Sequence, residues 1–189
     1  THAGTQALGI LKADVDNLGL LFSCGFMEGR QTLSRLATLS RQLNNFFSIF
    51  LPYFLKTDKR FQDTYTVFAG GDDLFLIGPW NRIIELADLL NKEFRQYVCH
   101  NKDITISAGI SVHKPGEPVM TIAESVKHAL ALSKNKPGKN SITIFGETVT
   151  WSEFKTLDGI KDTMQKWLSD VTINNAMLFR FNELLEMAK

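Results

Sequence analysis

The sequence predicts an α+β domain followed by helices, and three observations carry that prediction. Runs rich in β-branched and aromatic residues alternate with segments whose apolar residues recur every three to four positions. The order of these segments is β-α-β-β-α-β-α-β, in which two strands follow one another directly as a hairpin. Beyond Gly146 the composition changes and helical spacing alone remains. Such an order is typical of a split-βαβ, ferredoxin-like core, with the first strand at the centre of the sheet beside a hairpin strand.

The first β-α unit occupies the first 51 residues. A strand is predicted over residues 6–15, "QALGILKADV", where a buried apolar run becomes acidic at its end. A glycine-bearing bend, "DNLGLLFSCGF", follows this strand. From Gln31 to Leu51 apolar residues recur at helical spacing, and Pro52 lies just past the predicted end of that helix.

The hairpin and the elements after it complete the predicted core. Two β-rich runs, "DTYTVFAG" and "DLFLIG", meet at residues 70–73, "GGDD", which form the predicted hairpin tip. An amphipathic helix over 81–98, a strand in "DITISAGISV" and a helix in "TIAESVKHALALSK" follow. A basic turn, "NKPGKN", then leads into a last strand in "SITIF".

The chain is predicted to contain two parts, an α+β domain over residues 1–148 and a helical segment over residues 149–189. The sequence "TWSE" at 150–153 fits a capping box at the start of a helix. An apolar stripe follows at Met177, Phe181, Leu184, Leu185 and Ala188. Two helices are too few for a core of their own, so they either pack on the sheet or begin a further helical domain.

Composition excludes several classes of function. The net charge is +1, so any nucleic-acid or membrane interaction would need a local cluster rather than bulk charge. Cys24 and Cys99 lack the spacing of a zinc site or a disulfide framework, and no His pair has metal-ligand spacing. No apolar run is long enough to span a bilayer. We therefore expect a cytoplasmic protein without a membrane partner.

Two acid pairs are the strongest candidates for chemistry. Asp14 and Asp16 lie where the first strand ends, and Asp72 and Asp73 lie at the hairpin tip. In a ferredoxin-like order both pairs meet at one edge of the sheet. Four carboxylates brought together repel one another and raise each other's pKa, which a divalent cation would relieve. Mg²⁺ favours a few carboxylates together with substrate phosphates, so the pattern predicts a site for one or two Mg²⁺ ions that orients a nucleotide.

The glycines before the second acid pair support this interpretation but do not prove it. Gly70 and Gly71 allow positive φ and let a ligand approach the backbone closely. Hairpin tips are often rich in Gly and Asp for a simpler reason, since a solvated turn needs those residues. The second pair of acids on the first strand favours the metal site over the solvated turn.

Two further segments could bind phosphate. The bend "DNLGLLF" can present successive N–H groups as an anion-binding nest, although an ordinary turn has the same composition. Lys134, Lys136 and Lys139 cluster in "SKNKPGKN", which is either a solvated surface turn or a phosphate clamp. The residues "DVDNLG" fail as an EF-hand loop because Leu18 and Gly25 stand where oxygen ligands are needed. The segment "SKNKPGKN", called the lysine turn below for its residues 136–140, lacks the Gly and Ser/Thr positions of a P-loop.

Five ordered segments resemble one protein family over essentially the whole chain: "ADVDNLG", "SRLATLSRQLNNFF", "FAGGDDLFLIG", "SAGISV" and "SKNKPGKNSITIF". The chain is similar to the second, GGDD-bearing palm domain of the large polymerase-cyclase subunit of type III CRISPR effector complexes. The helix before the hairpin looks more like the Csm (type III-A) branch than the Cmr branch. Residues from 149 onward look like the start of that subunit's C-terminal helical domain. Diguanylate cyclases with a GGDEF signature are wider relatives, but here Asp73 stands in place of Glu.

The resemblance implies a reaction and a set of site residues. A 3′-hydroxyl of one ATP would attack the α-phosphate of another, release pyrophosphate and build cyclic oligoadenylate. Asp14 and Asp72 would bind Mg²⁺ or Mn²⁺ with the Val15 carbonyl, and Asp73 would be a further ligand or would activate the hydroxyl. Asp16 would be a metal ligand or would contact a residue that is one. The phosphates would be bound by Asn17, Leu18, Gly19, Lys134 and Lys139, and the adenine would be approached by Ser34.

The resemblance also implies partners. The family member carries a nuclease-like domain, a first palm and an inter-palm domain, and its two palms together hold two ATP molecules. Other effector subunits, guide RNA and target RNA would be partners, with target pairing switching synthesis on. Two other functions stay open: a diguanylate cyclase that uses GTP, and a non-catalytic scaffold domain that binds effector subunits and RNA.

Overall fold

The computed structural model describes residues 5–25 and 32–187; residues 1–4, 26–31 and 188–189 lie outside this description, as do the side chains of residues 175, 185 and 186. Strands and helices follow one another in the order β1 Leu8–Val15, α1 Leu18–Cys24, α2 Leu33–Asn45, α3 Leu51–Thr57, β2 Tyr65–Gly70, β3 Asp73–Pro79, α4 Trp80–Tyr97, β4 Ile106–His113, α5 Val119–Asn135, β5 Ser141–Ile144, β6 Glu147–Thr150, α6 Trp151–Ser169 and α7 Asn175–Met187.

One six-stranded sheet, in the order β2-β3-β1-β4-β5-β6, forms the centre of the described fold. Strand β1 is antiparallel to both of its neighbours, β3 and β4, while β4 and β5 are parallel. Because β3 inserts between β1 and β2, the split-βαβ arrangement predicted from the sequence is confirmed, and the fold class is α+β. This order places the end of β1 beside the hairpin tip.

Strand β6 was not predicted. Its four residues, "ETVT", pair antiparallel with β5 through a tight turn in which Phe145 and Gly146 have φ values of 53° and 84°. Both values are positive, as a two-residue hairpin turn requires. Thr148, Val149 and Thr150 are β-branched and favour a strand, but the segment is short, and the capping box predicted at Thr150 indicates the start of a helix instead. The predicted domain boundary after residue 148 falls inside this strand, and the first compact unit ends at Trp151.

The sheet is covered by helices on both faces, and two glycines show how closely. A Cβ on Gly9 of β1 would lie 2.7 Å from the Cα of Trp80, so α4 packs directly on that face. A Cβ on Gly109 of β4 would overlap the backbone of Leu130, so α5 packs on the other face. Since Gly109 is the register partner of Lys12, the α5 face is also the face of Lys12 and Asp14.

The two faces have different apolar cores. On the α5 face Ile10 packs with Ile122 and Val126 of α5. On the α4 face Phe46 makes edge-on contacts with Phe47 and Phe94, with ring centroids 5.1 and 5.2 Å apart. Burial of such large rings supplies much of the apolar stabilisation of this face. The apolar cores hold the sheet rigid beneath the acid-bearing edge.

The position of Pro52 differs from the prediction. Helix α2 runs into a π-helical turn, Phe46–Phe50, and α3 then carries Pro52 in its first turn. A proline inside a regular helix removes a hydrogen bond and collides with the preceding turn. The wider π-turn accommodates it, with the N–H of Leu51 donating to the carbonyl of Phe46, so the helical segment continues to Thr57.

The second compact unit, residues 152–189, consists of helix in its described part. Helix α6 ends in a turn where the N–H groups of Thr172 and Ile173 both donate to the carbonyl of Trp167. Of the predicted apolar stripe, Met177, Phe181 and Leu184 are exposed, whereas Ala188 and the side chain of Leu185 lie outside the described residues. None of the described helices is both long and apolar enough to cross a membrane.

Candidate active site

Three of the predicted acids meet at one edge of the sheet. Asp14, the penultimate residue of β1, is the register partner of Asp73, the first residue of β3. Asp72 precedes Asp73 in the turn, and its carbonyl accepts a hydrogen bond of 3.1 Å from the N–H of Val15. The end of β1 and the hairpin tip are therefore joined by backbone as well as by position. This edge of β1 and β3 is called the acidic edge below.

The hairpin tip is held from two sides. Gly71 has a φ of 65°, which disfavours any side chain there, whereas Gly70 is the last residue of β2 and has no positive φ. The Oδ1 atom of Asn44, on α2, accepts a hydrogen bond of 2.8 Å from the N–H of Gly71. Asn44 was not among the predicted site residues, because its position in a helical run gave no signal. Helix α2 thus fixes the turn that presents Asp72.

Lysines neutralise two of the three carboxylates. The Nζ of Lys12 lies 2.6 and 2.8 Å from the two oxygens of Asp73, and Lys134 pairs with Asp14. Lys12 was also missed, although a charged residue two positions before Asp14 in an apolar strand must share its face. Lys134 was predicted, but as a phosphate ligand rather than as the counterion of Asp14. The acidic edge therefore carries its own cations.

A buried hydroxyl network positions Lys134 at the end of α5. The Oγ of Ser133 donates 2.6 Å to the carbonyl of Ala108 on β4 and lies 2.7 Å from Oγ1 of Thr143 on β5. Ser133 itself is fully buried. Because these bonds join α5 to two strands, the adjacent Lys134 has a fixed origin from which to reach Asp14.

The pKa of Asp14 lies above its ordinary value of 3.8. Burial is the main cause, and the neighbouring charges of Asp72 and Asp73 add to it. The hydrogen bond and charge of Lys134 oppose this rise without cancelling it. The charged form of Asp14 is thus disfavoured where the three acids meet, as a site that gains from an added cation requires.

The predicted phosphate-binding segments are brought together. Asn17 follows β1 with φ 54° and ψ 28°, and α1 begins at Leu18. Gly19 lies inside α1, and the left-handed residue of this bend is Asn17. The Nζ of Lys139 donates 2.7 Å to Oδ1 of Asn17. The lysine turn thus bridges back to the end of β1, beside the acidic edge.

Asp16 differs from the other three acids. Only 1% of the residue is exposed, and its Oδ2 accepts hydrogen bonds from the Thr105 hydroxyl at 2.8 Å, the Ser107 hydroxyl at 3.1 Å and the Asn140 N–H at 3.0 Å. Three donors leave Oδ2 no free direction for a metal ion, whereas Oδ1 is buried and has no hydrogen-bond partner among the described residues. Asp16 is held within the protein rather than presented at the acidic edge.

Ser34, the predicted adenine contact, lies exposed in the first turn of α2, and its carbonyl accepts a hydrogen bond from the Thr38 hydroxyl. Residues 26–31, which precede this helix, are outside the described part of the chain. The placement of Ser34 on α2 links it to Asn44 on the same helix. Its contact with a nucleotide stays a prediction.

The acidic edge fits a divalent cation in part. Within residues 5–25 and 32–187 no three His, Cys, Asp or Glu side chains are grouped closely enough to hold a metal ion by themselves. Mg²⁺ commonly takes only one or two carboxylates and completes its coordination with water and substrate phosphates. Asp14 and Asp72 supply hard oxygen donors of that kind, and a bound cation would offset the charges of Asp72 and Asp73 that help to raise the pKa of Asp14 after burial, its main cause.

Fold and site together define a palm-type domain, with acids at the end of the central strand and at a neighbouring hairpin tip. The family model for the second palm domain of Cas10/Cmr2 matches residues 7–143. The Cas10/Csm1 subtype III-A single-strand-specific deoxyribonuclease of Methanocaldococcus jannaschii is 35% identical over 170 residues, covering 79% of this chain and 21% of that protein. The corresponding protein of Mycobacterium tuberculosis is 31% identical over 202 residues, covering 97% and 25%.

The chain belongs to the Cas10/Cmr2 second-palm family, and its relatives are of the type III-A, Csm1 kind. It spans about a fifth to a quarter of their length. A Csm1–Csm4 cassette in complex with AMPPNP superposes with a TM-score of 0.71 at 27% identity, covering 82% of this chain and 25% of that chain. The same cassette in complex with cA3 superposes with a TM-score of 0.70 at 26% identity, covering 82% and 24%.

Proposed function

We propose that this chain is the nucleotide-binding palm of a type III CRISPR effector subunit that converts ATP to cyclic oligoadenylate. The observation that carries the proposal is the register pairing of Asp14 with Asp73, which brings an acid of β1 to those of the hairpin tip, beside two lysines that contact the end of β1 and the residue after it. Related structures with AMPPNP and with cA3 support an adenine nucleotide as substrate, in preference to the GTP of a diguanylate cyclase.

Nucleotide binding is assigned to the residues around the end of β1. Lys134 contacts Asp14, and Lys139 contacts Asn17. On nucleotide binding, both lysines would exchange these partners for the β- and γ-phosphates. The backbone N–H groups of Asn17, Leu18 and Gly19 would face the phosphates, as successive N–H groups after a left-handed residue can do. Gly70 and Gly71 leave room for the ligand at the hairpin tip, and Ser34 would approach the adenine.

The reaction joins the 3′-oxygen of one ATP to the α-phosphorus of another and breaks the bond between that phosphorus and the pyrophosphate oxygen. Asp14 and Asp72 with the Val15 carbonyl would hold Mg²⁺ or Mn²⁺, which would offset the charge of the phosphates and polarise the α-phosphate. Asp73 would accept the hydroxyl proton on a carboxylate oxygen released by Lys12, or act as a further ligand. A second ATP and the first palm would come from the rest of the subunit.

The partners proposed for the chain are the remaining domains of its subunit, other Csm subunits, guide RNA and target RNA. Structures of Csm1 with Csm4 support the subunit partners. We propose that the protein acts in the cytoplasm, where such a complex would bind RNA transcripts. The helical unit after Trp151 is proposed as the start of the C-terminal helical domain.

The experiment compares the full-length, target-activated complex with and without the double substitution Asp72→Ala/Asp73→Ala. ATP and GTP are supplied separately with Mg²⁺, and products are separated by chromatography. Cyclic oligoadenylate from ATP alone, lost in the double variant, is expected. A product made only from GTP would replace the proposal with the diguanylate cyclase. Assembly with Csm subunits but no ATP binding by calorimetry would replace it with the scaffold.

A further inference from the structure

Asp16 is a buried carboxylate to which the proposed chemistry gives no place, and the structure assigns it one. We propose that Asp16 is a positioning residue that anchors the lysine turn, Lys136–Asn140, against the end of β1, so that Lys139 faces the nucleotide. The inference rests on the proposed function for its effect on ATP, but the anchoring itself is a statement about this chain alone.

The lysine turn needs an anchor because its backbone is locally unfavourable. Gly138, Lys139 and Asn140 have φ values of 84°, 50° and 47°, so two residues with side chains lie in the left-handed region. Left-handed backbone is unfavourable for most residues with a Cβ, although less so for Asn. Within the turn, the Lys139 N–H donates 2.8 Å to the Lys136 carbonyl. A long-range bond is needed to hold the conformation that follows.

Asp16 supplies that bond. The N–H of Asn140 donates 3.0 Å to Oδ2 of Asp16 across 124 residues of sequence. Thr105 and Ser107, on the β4 side, donate to the same oxygen, so the carboxylate joins β1, the approach to β4 and the lysine turn. Hydrogen bonds to a buried charged acceptor are stronger than those between neutral groups. The turn is therefore tied to the rigid centre of the sheet.

Anchoring explains the placement of Lys139, one residue before Asn140. Its Nζ reaches Oδ1 of Asn17 at the start of α1, on the side where phosphates are proposed to bind. A long lysine side chain held near its ligand loses less conformational freedom when it binds. Asp16 thus acts on the nucleotide through the turn, whereas a metal ligand would act through the ion.

The two roles respond differently to substitution. Asp16→Asn keeps one oxygen acceptor for the turn and removes the negative charge that a metal ion would need. Asp16→Ala removes both. If Asp16 is an anchor, Asp16→Asn should keep most of the protection of the turn and of the ATP affinity that Asp16→Ala loses. If Asp16 is a metal ligand, both variants should lose Mn²⁺ affinity equally. Tyr97→Phe, which removes hydrogen bonds to Gln42 far from the turn, controls for a general loss of stability.

The test uses the full-length protein and three measurements: amide hydrogen exchange of residues 136–140 without nucleotide, Mn²⁺ affinity by electron paramagnetic resonance, and ATP affinity by calorimetry. In Asp16→Ala we expect the exchange of the turn to rise about tenfold and ATP affinity to fall about tenfold, the effect of losing one charged hydrogen bond. Mn²⁺ affinity stays within about twofold, Asp16→Asn restores most of the protection of the turn that Asp16→Ala loses, and Tyr97→Phe protects the turn as the wild type does. The double variant Asp16→Ala/Lys139→Ala binds ATP no more weakly than Lys139→Ala alone.

Unchanged exchange of the turn in Asp16→Ala, equal failure of Asn and Ala with lost Mn²⁺ affinity, or additive effects of Asp16→Ala and Lys139→Ala would each overturn the anchor. If Asp16→Ala does not fold, Asp16→Ser, which keeps a polar side chain but removes the carboxylate oxygen that accepts the Asn140 N–H, is measured with the same expectations. Because hydrogen exchange is measured without nucleotide, a wild type that binds no ATP would contradict the proposed function while the exchange result still decides on the anchor.

Discussion

Asp14 lies directly opposite Asp73 in the ladder between β1 and β3, and each carboxylate is paired with a different lysine. Like charges at such positions repel one another, so the pairing persists only because Lys134 from α5 and Lys12 from β1 offset it. Lys134 is also the proposed ligand of the nucleotide phosphates. Binding of a cation with ATP would therefore exchange partners, the cation taking the carboxylates and the phosphates taking the lysine.

Removal of Lys12 tests this exchange. In Lys12→Met the carboxylate of Asp73 loses its bidentate partner, and the acidic edge becomes more negative. We expect Mn²⁺ to bind roughly tenfold more tightly, since a charge a few ångströms away is worth one to a few kcal/mol near a protein surface. Titration of the variant by electron paramagnetic resonance measures this change.

The matched control is Lys127→Met, which removes an exposed lysine from α5 away from the acidic edge. It is expected to leave Mn²⁺ affinity unchanged. Equal or weaker Mn²⁺ binding by Lys12→Met would show that Asp73 and its neighbours are not the cation site.

The pH dependence of stability gives a second test at Asp14. Burial raises the pKa of this carboxyl above 3.8, so folding favours its protonated form more than the unfolded chain does. The stability due to protonated Asp14 is complete below pH 3.8 and is lost as the pH rises through the folded pKa. Asp14→Asn, which stays neutral, is therefore expected to have a higher Tm than the wild type at pH 7 in the absence of divalent cations.

This difference in Tm should shrink as the pH falls towards 3.8, and Mg²⁺ should narrow it at pH 7 by stabilising the wild type alone. Thermal melts across the pH range with and without Mg²⁺ provide the measurement. Asp103→Asn, at an exposed acid between α4 and β4, controls for the loss of one negative charge. A lower Tm for Asp14→Asn at pH 7 would mean that the pair with Lys134 outweighs burial.

Element order was enough to predict the acidic edge. A ferredoxin-like order places β1 beside β3, so the approach of Asp14 to Asp73 follows from topology and needs no side-chain detail. The bonds made by Asp16, by contrast, depend on which way one carboxylate points. The sequence is equally compatible with Asp16 as a metal ligand and with Asp16 as an anchor of the lysine turn. The three donors around its Oδ2 atom favour the anchor.

The residues that the sequence did not reveal act across elements. Asn44 reaches the hairpin tip from a helix 27 residues earlier, and Lys12 meets Asp73 across 61 residues. Asn44 belongs to no local motif, so spacing could not identify it, whereas strand alternation places Lys12 on the face of Asp14 without showing that it meets Asp73. The π-helical turn before Pro52 is a similar case, because a proline ordinarily marks the end of a helix and here the preceding turn widens to accept it.

The two glycines of the hairpin tip make a matched pair. Gly71 has a φ of 65°, so Gly71→Ala is expected to cost about 1 kcal/mol or more of unfolding free energy, as left-handed backbone does for residues with a Cβ. Gly70 is extended, and an added Cβ would meet Oδ1 of Asn44 at an ordinary 3.5 Å. Gly70→Ala should therefore cost less. Chemical denaturation of both variants measures the difference, and equal costs would contradict the strained turn.

The contact between α2 and the hairpin tip offers the last test. The Oδ1 atom of Asn44 accepts a hydrogen bond of 2.8 Å from the N–H of Gly71, which directly precedes the proposed metal ligand Asp72. Asn44→Ala should cost about 1 kcal/mol and raise the hydrogen exchange of the Gly71 amide several-fold, the usual effect of losing one hydrogen bond. Because the turn would then hold Asp72 less firmly, Mn²⁺ affinity should fall as well.

Asn44→Asp separates the hydrogen bond from the amide that makes it. The carboxylate keeps an acceptor for the Gly71 N–H and adds a negative charge beside the acidic edge, so the amide should stay protected while Mn²⁺ affinity is kept or increased. Asn45→Ala, at the neighbouring position on α2, controls for the loss of an amide side chain from the helix. If Gly71 exchanges equally fast in Asn44→Ala and in Asn45→Ala, α2 does not fix the tip, and the geometry of Asp72 must be set by the β1 contact to its carbonyl alone.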